Sequence, residues 1–374
     1  MGPRIGEVSA RGRLAEPAEG ISEAELALAA RNHGLPLEAL RYDVTPPGLH
    51  YVLTHYDIPL TDEADWQLVI DGAVRSPLTF GVPELRAFAA ETHRVTMECA
   101  GNGRARLTPR PISQPWLVEA VGTADWTGVP LRVLLREAGL TPEAVDIVFT
   151  GADHGIERGI EQDYQRSLPA ALALGDDPPI LVAYEMNGHP LPPQHGSPIR
   201  LIVPGWYGMA SVKWLHTITA ITLPFNGFQQ DVAYRLRQNA TDRGTPVTRI
   251  APRSLLQPPG FPDFMSRDRV VPPGPVRIEG RAWTGNPPLA QVEFSPDGGL
   301  TWSAAELAAP DPNHPWSWRR WHATWTATPG THTLCSRATD HTGASQPIEQ
   351  AWNRGGFANN ATQQVIVHCV EADE

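Results

Sequence analysis

Proline and glycine interrupt this chain too often for long helices to form. There are 38 prolines and 33 glycines among 374 residues. Each proline fixes one backbone angle and removes a donor, and each glycine loosens the chain. The apolar runs between them are short, so the chain reads as loop-rich, built from short strands with a few helices. A hydrophobic content of 41% is ample for sizeable cores, and the length suits two domains. No apolar run approaches the roughly 20 residues that a membrane span needs. The net charge of −11 argues against a nucleic-acid surface.

The punctuation divides the chain into three expected regions. Residues 1–40 form an N-terminal extension that includes ISEAELALAARNHG, a helix with a glycine stop. Residues 41–248 read as a mixed α/β domain. In it YVLTHYDIP is a strand and turn, WQLVIDGAVRSPLTF a hairpin, and VPELRAFA a short helix opened by proline. RVTMEC is a strand, PLRVLLREAGL a second proline-opened helix, and DIVFTGAD, ILVAYEMNGHPL, SPIRLIVPG and KWLHTITAITL are strands. The composition changes near residue 249, where APRSLLQPPGFPDFMSRDRVVPPGP reads as a proline-rich connector. Alternating strands separated by Pro-Asp-Gly-Gly and Pro-Gly turns follow, without helices. Residues 249–374 therefore read as an all-β sandwich of immunoglobulin type, and the whole chain as α+β.

The three cysteines, Cys99, Cys335 and Cys369, have none of the paired spacings of a zinc or iron–sulfur site, and there is no CxxCH for haem. Cys335 and Cys369 read as strand residues. Cys99 differs, because VTMECAGNGR runs from an apolar strand straight into a Gly-Asn-Gly turn. Such a turn lets the backbone approach a bound group. Arg104 and Arg106 follow it, and cations beside a thiol favour the thiolate, which is both a nucleophile and a soft metal ligand. A cysteine hydrolase would need a base within hydrogen-bond reach. His93, six residues away on the same strand, is too far.

ECAGNGR resembles the cysteine motif of the sulfite oxidase family, molybdenum enzymes with a thiolate ligand. THYDIP, ILVAYEMNGHPLPPQHGSPIRLIVPG, ASVKWL and HPWSWRRW resemble further segments of that family, in its order. The resemblance covers most of the chain from about residue 40 onward. It implies a molybdopterin-binding catalytic domain followed by a dimerisation domain. It also implies a molybdenum–molybdopterin cofactor with no haem, and oxidation of sulfite to sulfate by oxygen-atom transfer. Cys99 would be the metal ligand. His55, Asp153, His195, Arg200, Ser211 and Lys213 would line the pterin and its phosphate, and a guanidinium fork and an ammonium suit that phosphate. Tyr164 would stay neutral and donate a hydrogen bond beside the metal. Arg104 and Arg319 would draw an oxyanion to it, Arg319 from near the sandwich junction. Electrons would pass to a separate acceptor such as a cytochrome, or to oxygen, and the protein would be a homodimer. Trp316, Trp318 and Trp321 read as packing residues.

The sequence departs from the family pattern at Leu53, Gly103 and Met209, where arginines are usual. That motivates a second reading, an oxotransferase of the same fold for another oxyanion or a sulfoxide. A third reading makes the chain a binding protein with an immunoglobulin-like module, and then Cys99 would have no function. MGPRIGEVSARGRLAEPAEG lacks the apolar core of a secretory signal, so a cytoplasmic location is expected, or a periplasmic one if a leader has been removed.

Overall fold

The computed structural model describes residues 2–371. Short strands dominate them, in four sheets of four or more strands and one two-stranded ribbon. The first sheet runs in the order Leu78–Gly81, Gln67–Gly72, Leu215–Ile221, Asp146–Glu157, Ile160–Pro169. One pairing in it is parallel, between Gln67–Gly72 and Leu215–Ile221. The second sheet joins Glu91–Glu98, Val121–Pro130 and Leu181–Met186, with His189–Pro190 and Arg200–Ile202 both on the last. Leu68, Ile70, Phe149 and Leu168 of the first sheet share one core with Val129, Val182 and Leu201 of the second. The helix Leu131–Ala138 closes that core with Leu131, Leu134, Leu135 and Ala138, all fully buried. Gly139 ends this helix at φ +70, a left-handed stop that costs glycine little.

From residue 253 onward the described residues form two further sheets and no helix. One joins Arg253–Leu256, Gly274–Trp283, Arg319–Ala327 and Glu306–Leu307. The other joins Phe261–Pro262, Arg269–Val271, Val365–Cys369, Gly330–Asp340, Leu289–Ser295 and Ser303–Ala304. Leu256, Ile278 and Trp321 of the one pack with Val292, Phe294, Leu334 and Val367 of the other.

Three local expectations are corrected. The helix in the N-terminal region covers Glu23–Arg31 and stops at Asn32, before the glycine. Asn32 turns inward, donating to Gln114 and accepting from the Thr54 backbone, so its side chain ends the helix. YVLTHYDIP forms no strand. It makes a single bridge, Val52 with His33, because Tyr51 to His55 run along the wall of a cleft. The proline-rich stretch after residue 249 supplies three strands, Arg253–Leu256, Phe261–Pro262 and Arg269–Val271. Its prolines fall outside these strands, in the two-residue Phe261–Pro262 strand, or, as Pro275, at the start of the next strand Gly274–Trp283, where few donors are lost.

The cysteine strand is tied to the C-terminal sheets by buried polar contacts. On Glu91–Glu98 the side chains of Val95 and Met97 point with Cys99 into one apolar cluster, and those of Thr96 and Glu98 point to the opposite face. Glu98 accepts from Arg253 at 2.5 Å and from the Trp283 indole at 2.8 Å. Both ions are 1% exposed. Arg253 also donates to the Asn359 carbonyl at 2.8 Å. Thr96 Oγ1 accepts from the Trp318 backbone at 2.7 Å. The three tryptophans of HPWSWRRW enter three different cores, Trp316 the Cys99 cluster, Trp318 the junction and Trp321 the C-terminal one. Removing one partner of the ion pair strands a buried charge. Arg253→Ala is expected to cost about 3–5 kcal/mol in denaturant unfolding, and Arg253→Met with Glu98→Gln distinctly less. Equal losses for the single and double variants would show that the pair is not what holds the junction.

Candidate functional site

A narrow cleft opens between the Glu91–Glu98 strand, the loop from His50 to His55 and the turn after Arg200–Ile202. Cys99, Tyr164, His55, Asp153, His195, Arg200, Ser211 and Lys213 all line it, as do Leu53 and Met209. The structure therefore brings eight of the ten residues singled out in the sequence to one cavity.

Cys99 is 6% exposed and sits at the end of its strand. Its N–H donates to the Ala120 carbonyl and its carbonyl accepts from Asn102. Asn102 then fixes the turn, donating to Glu98 at 3.0 Å and the Val118 carbonyl at 3.1 Å while accepting from the Ala120 N–H. Gly103 lies at φ +89, and a Cβ there would come within 2.8 Å of the Asn359 side chain. Asn359 uses that closeness to donate to the Gly103 carbonyl at 2.8 Å. Burial pushes the Cys99 thiol pKa up, against the pull of the Arg104 charge and of the nearby Gly101 N–H and Trp116 indole. The expectation that neighbouring cations alone favour the thiolate is thus corrected, since desolvation outweighs them. Arg106 points to solvent.

Arg104 stands behind this turn, buried, with its guanidinium 5.0 Å from the Phe357 ring. It donates to the Gly355 carbonyl and to Ser113. Arg319 is not brought to the cleft. Its strand register pairs it with Ala282, and its guanidinium donates to the Ala308 and Leu289 carbonyls. It lines a separate hollow with Arg249, Trp316 and His341. The adjacent Trp318 faces inward to the junction core, and Trp316, just before it, is the residue that packs in the Cys99 cluster.

The floor of the cleft is cationic. Arg200 is 4% exposed, donates to the His195 and Ser211 carbonyls at 3.0 Å, and lies 4.9 Å from the Trp126 ring. Ser211 Oγ accepts from the Val203 N–H and so holds the turn. Lys213 donates to the Leu53 and Gln194 carbonyls. Burial pushes the Lys213 ammonium down and the Asp153 carboxyl up, each disfavouring its charged form. Asp153 Oδ1 is buried without a hydrogen-bond partner, as are His50 Nε2 and the Trp116 indole N–H. Burial and the nearby Lys213 and Arg104 hold His55 neutral, with its pKa lowered to about 3. Burial does the same to His195, helped by His50 and Arg200.

The sequence reading missed two buried aromatic residues, Tyr234 in the lining of the cleft and Phe357 packed against it. The Tyr234 hydroxyl is hydrogen-bonded to His55 Nε2 at 2.6 Å. Its ring lies 4.9 Å from Phe357, and the Tyr164 ring lies 4.8 Å from His55. Burial raises both phenol pKa values, so both are neutral. The Tyr164 hydroxyl is committed to the Met209 carbonyl at 2.9 Å, whereas Tyr234 faces the histidine. No local motif marks Tyr234 or Phe357, which come from a wide helical turn and from the NRGGFANN loop.

Seven arginines are buried among the described residues. Arg235, Arg253, Arg269 and Arg281 each have a carboxylate within 4.0 Å, and Arg104, Arg166 and Arg200 have none. Of those three, Arg200 lines the cleft, while Arg104 stands 5.0 Å from the Phe357 ring and Arg166 5.6 Å from the ring of Tyr234, which lines it. A buried cation without an anion is costly, so this arrangement calls for anionic ligands. Among the described residues, no three His, Cys, Asp or Glu side chains converge to hold a metal ion. A metal here would bring most of its own ligands and take one soft sulfur from Cys99. A phosphate-bearing dithiolene cofactor fits both conditions, with Arg200 and Lys213 for the phosphate and unpartnered Asp153 and His50 for polar ring atoms.

Residues 55–229 match the family described as the oxidoreductase molybdopterin binding domain. Residues 259–370 match the Mo-co oxidoreductase dimerisation domain. The chain is 32% identical over 336 residues to sulfite oxidase of Gallus gallus, covering 85% of this chain and 72% of that protein. It is 29% identical over 352 residues to the NADH nitrate reductase of Solanum lycopersicum, covering 87% of this chain but 38% of that protein. The sulfane dehydrogenase SoxCD of Paracoccus pantotrophus superposes with a TM-score of 0.78 at 26% identity, covering 97% of this chain and 91% of that one. No helix among the described residues is long and apolar enough to cross a membrane. With a matching cofactor-binding domain, a matching dimerisation domain and a sulfite oxidase relative aligned over most of both chains, this protein belongs to the sulfite oxidase family of molybdopterin oxidoreductases.

Proposed function

We propose that the protein oxidises sulfite to sulfate, with the Cys99 thiolate as the protein ligand of a molybdenum–molybdopterin centre. Three buried arginines without carboxylates around one buried thiol carry this reading. When bound, the cofactor supplies oxygen-atom transfer and accepts the electron pair. The balanced change is sulfite plus water to sulfate, with two protons and two electrons released.

The remaining roles fall to this chain. Arg200 and Lys213 hold the cofactor phosphate, with Ser211 keeping their turn in place. His195, Asp153 and His55 line the pterin. Asn102 and Asn359 fix the cysteine turn so that the sulfur points into the cleft. Arg104 attracts the oxyanion from behind the turn. Tyr234, neutral and bonded to His55, offers a phenol in the cleft lining, a position better suited to a substrate oxygen than that of Tyr164, whose hydroxyl is held by the Met209 carbonyl. The two sheets after residue 253 form an immunoglobulin-like sandwich that makes a two-fold dimer. Electrons leave to a separate acceptor, a cytochrome or oxygen.

One observation favours a second reading. Leu53 and Met209 line the cleft as apolar groups, and a sulfite dianion wants several close donors. A less charged substrate, such as nitrate, a sulfoxide or a sulfane sulfur compound, asks less of the pocket. Ferricyanide reduction by sulfite, with molybdenum content confirmed, tests the first reading. Rapid turnover is expected. Metal without turnover, together with nitrate- or sulfoxide-dependent oxidation of a reduced viologen, would transfer the function to the second.

Cys99→Ser is expected to keep the thermal midpoint and lose sulfite turnover, and retained turnover would remove the cysteine from the chemistry. Arg104→Met is expected to lower kcat/KM for sulfite roughly 10- to 150-fold, the value of one charged hydrogen bond at about 1.5–3 kcal/mol. Arg319→Met is expected to leave kcat/KM within about twofold, because its guanidinium is held by carbonyls away from the cleft.

A further inference from the structure

Arg166 is 2% exposed, and its Nε has no hydrogen-bond partner. Its neighbour on the same face of the Ile160–Pro169 strand is Tyr164, two residues earlier, which lines the cleft. Its guanidinium lies 5.6 Å from the ring of Tyr234, which lines the cleft as well. NH1 donates to the Gln229 carbonyl, its one protein partner among the described residues. Glu157 is the acid whose charge reaches Tyr164 and Tyr234, but it is bonded to Gln229 and lies near Arg158 rather than Arg166. Burial lowers the Arg166 pKa, opposed only by the Tyr164 and Tyr234 phenols and by no carboxylate.

The cost of such a cation needs a return. If Arg166 only held the Gln229 turn, one neutral donor would do so without desolvating a charge. The four other buried arginines show how this fold treats structural guanidinium groups, each beside a carboxylate. Arg166 instead joins Arg104 on the far side of Tyr234 and Phe357, so the two phenols and the phenylalanine stand between two unpaired cations. Leu53 puts an apolar side chain beside His55, and the cation nearest to it, Lys213, is held by the Leu53 and Gln194 carbonyls.

We propose that Arg166 is a specificity residue for the substrate anion, drawing a sulfur oxyanion to the Tyr164–Tyr234 side of the cleft in place of a cation at position 53. The proposal deepens the sulfite reading and rests on it. It makes recognition of charge two-sided, with Arg104 behind the cysteine turn and Arg166 behind the phenols.

The test uses molybdenum-loaded protein and two variants, Arg166→Met and Arg166→Lys. Sulfate is titrated as a probe of the anion site, by its competition with sulfite and by the thermal shift it produces. Dimethyl sulfoxide serves as an uncharged probe. With molybdenum content and thermal midpoint near wild type, Arg166→Met is expected to raise the sulfite KM and the sulfate inhibition constant together, by about tenfold or more. The effect of dimethyl sulfoxide should not change, and Arg166→Lys should recover most of the loss. A purely structural Arg166 would disturb charged and neutral probes alike, or lower kcat with KM unchanged, and either result overturns the proposal. Should Arg166→Met lose its metal or its fold, Arg166→Lys decides: its sulfate constant must stay within about threefold of wild type while Arg166→Gln loses affinity. Wild-type protein that binds sulfate but does not oxidise sulfite would sink the sulfite reading and leave Arg166 in place as an anion residue. Loaded wild-type protein that binds no oxyanion would sink both.

Discussion

Everything at the site depends on a salt bridge that never touches the cleft. Glu98 and Arg253, both 1% exposed, join the strand that carries Cys99 to the first strand of the C-terminal sheets. Strand alternation places the carboxylate on the opposite face from the thiol, so fixing one fixes the direction of the other. The Trp283 indole and the Asn102 amide complete the hydrogen bonds of Glu98. A carboxylate this deeply buried is tolerable only when its lone pairs are filled. The same network then sets the turn that presents the cysteine sulfur. The direction of the Cys99 thiol is thus decided by side chains on the far face of its strand.

The distribution of charge sorts the arginines by purpose. Those that brace the fold sit beside carboxylates, and those around the cleft do not. The cleft is therefore a region of positive potential walled by apolar rings and prepared for anions. Neutral histidines and neutral phenols complete it, because burial disfavours their ions. A low-polarity wall strengthens each remaining charge.

Local pattern made the Cys99 turn, the His195–Arg200 segment and the Ser211–Lys213 segment legible, because their chemistry lies in contiguous residues. The helices opened by Pro83 and Pro130 were legible for the same reason. What lay beyond reach was assembled across the chain. Tyr234 and Phe357 meet over 123 residues, Arg104 finds Gly355, and Asn359 finds Gly103. Arg319 misled because an arginine's direction is set by strand register, which the sequence does not display. The stretch after residue 249 misled because its prolines suggested a linker, while Arg253, Leu255 and Leu256 within it are fully buried strand residues.

The NRGGFANN loop has one more implication. Its Ala358 donates to Ala100 and its Asn359 to Gly103, so residues near the end of the chain complete the wall around a cysteine laid down in its first third. On a ribosome, this wall is missing until residues 358 and 359 have emerged. Enclosure of the cleft accordingly waits for the C-terminal sheets, and a truncation that removes the NRGGFANN loop also opens the cleft from behind.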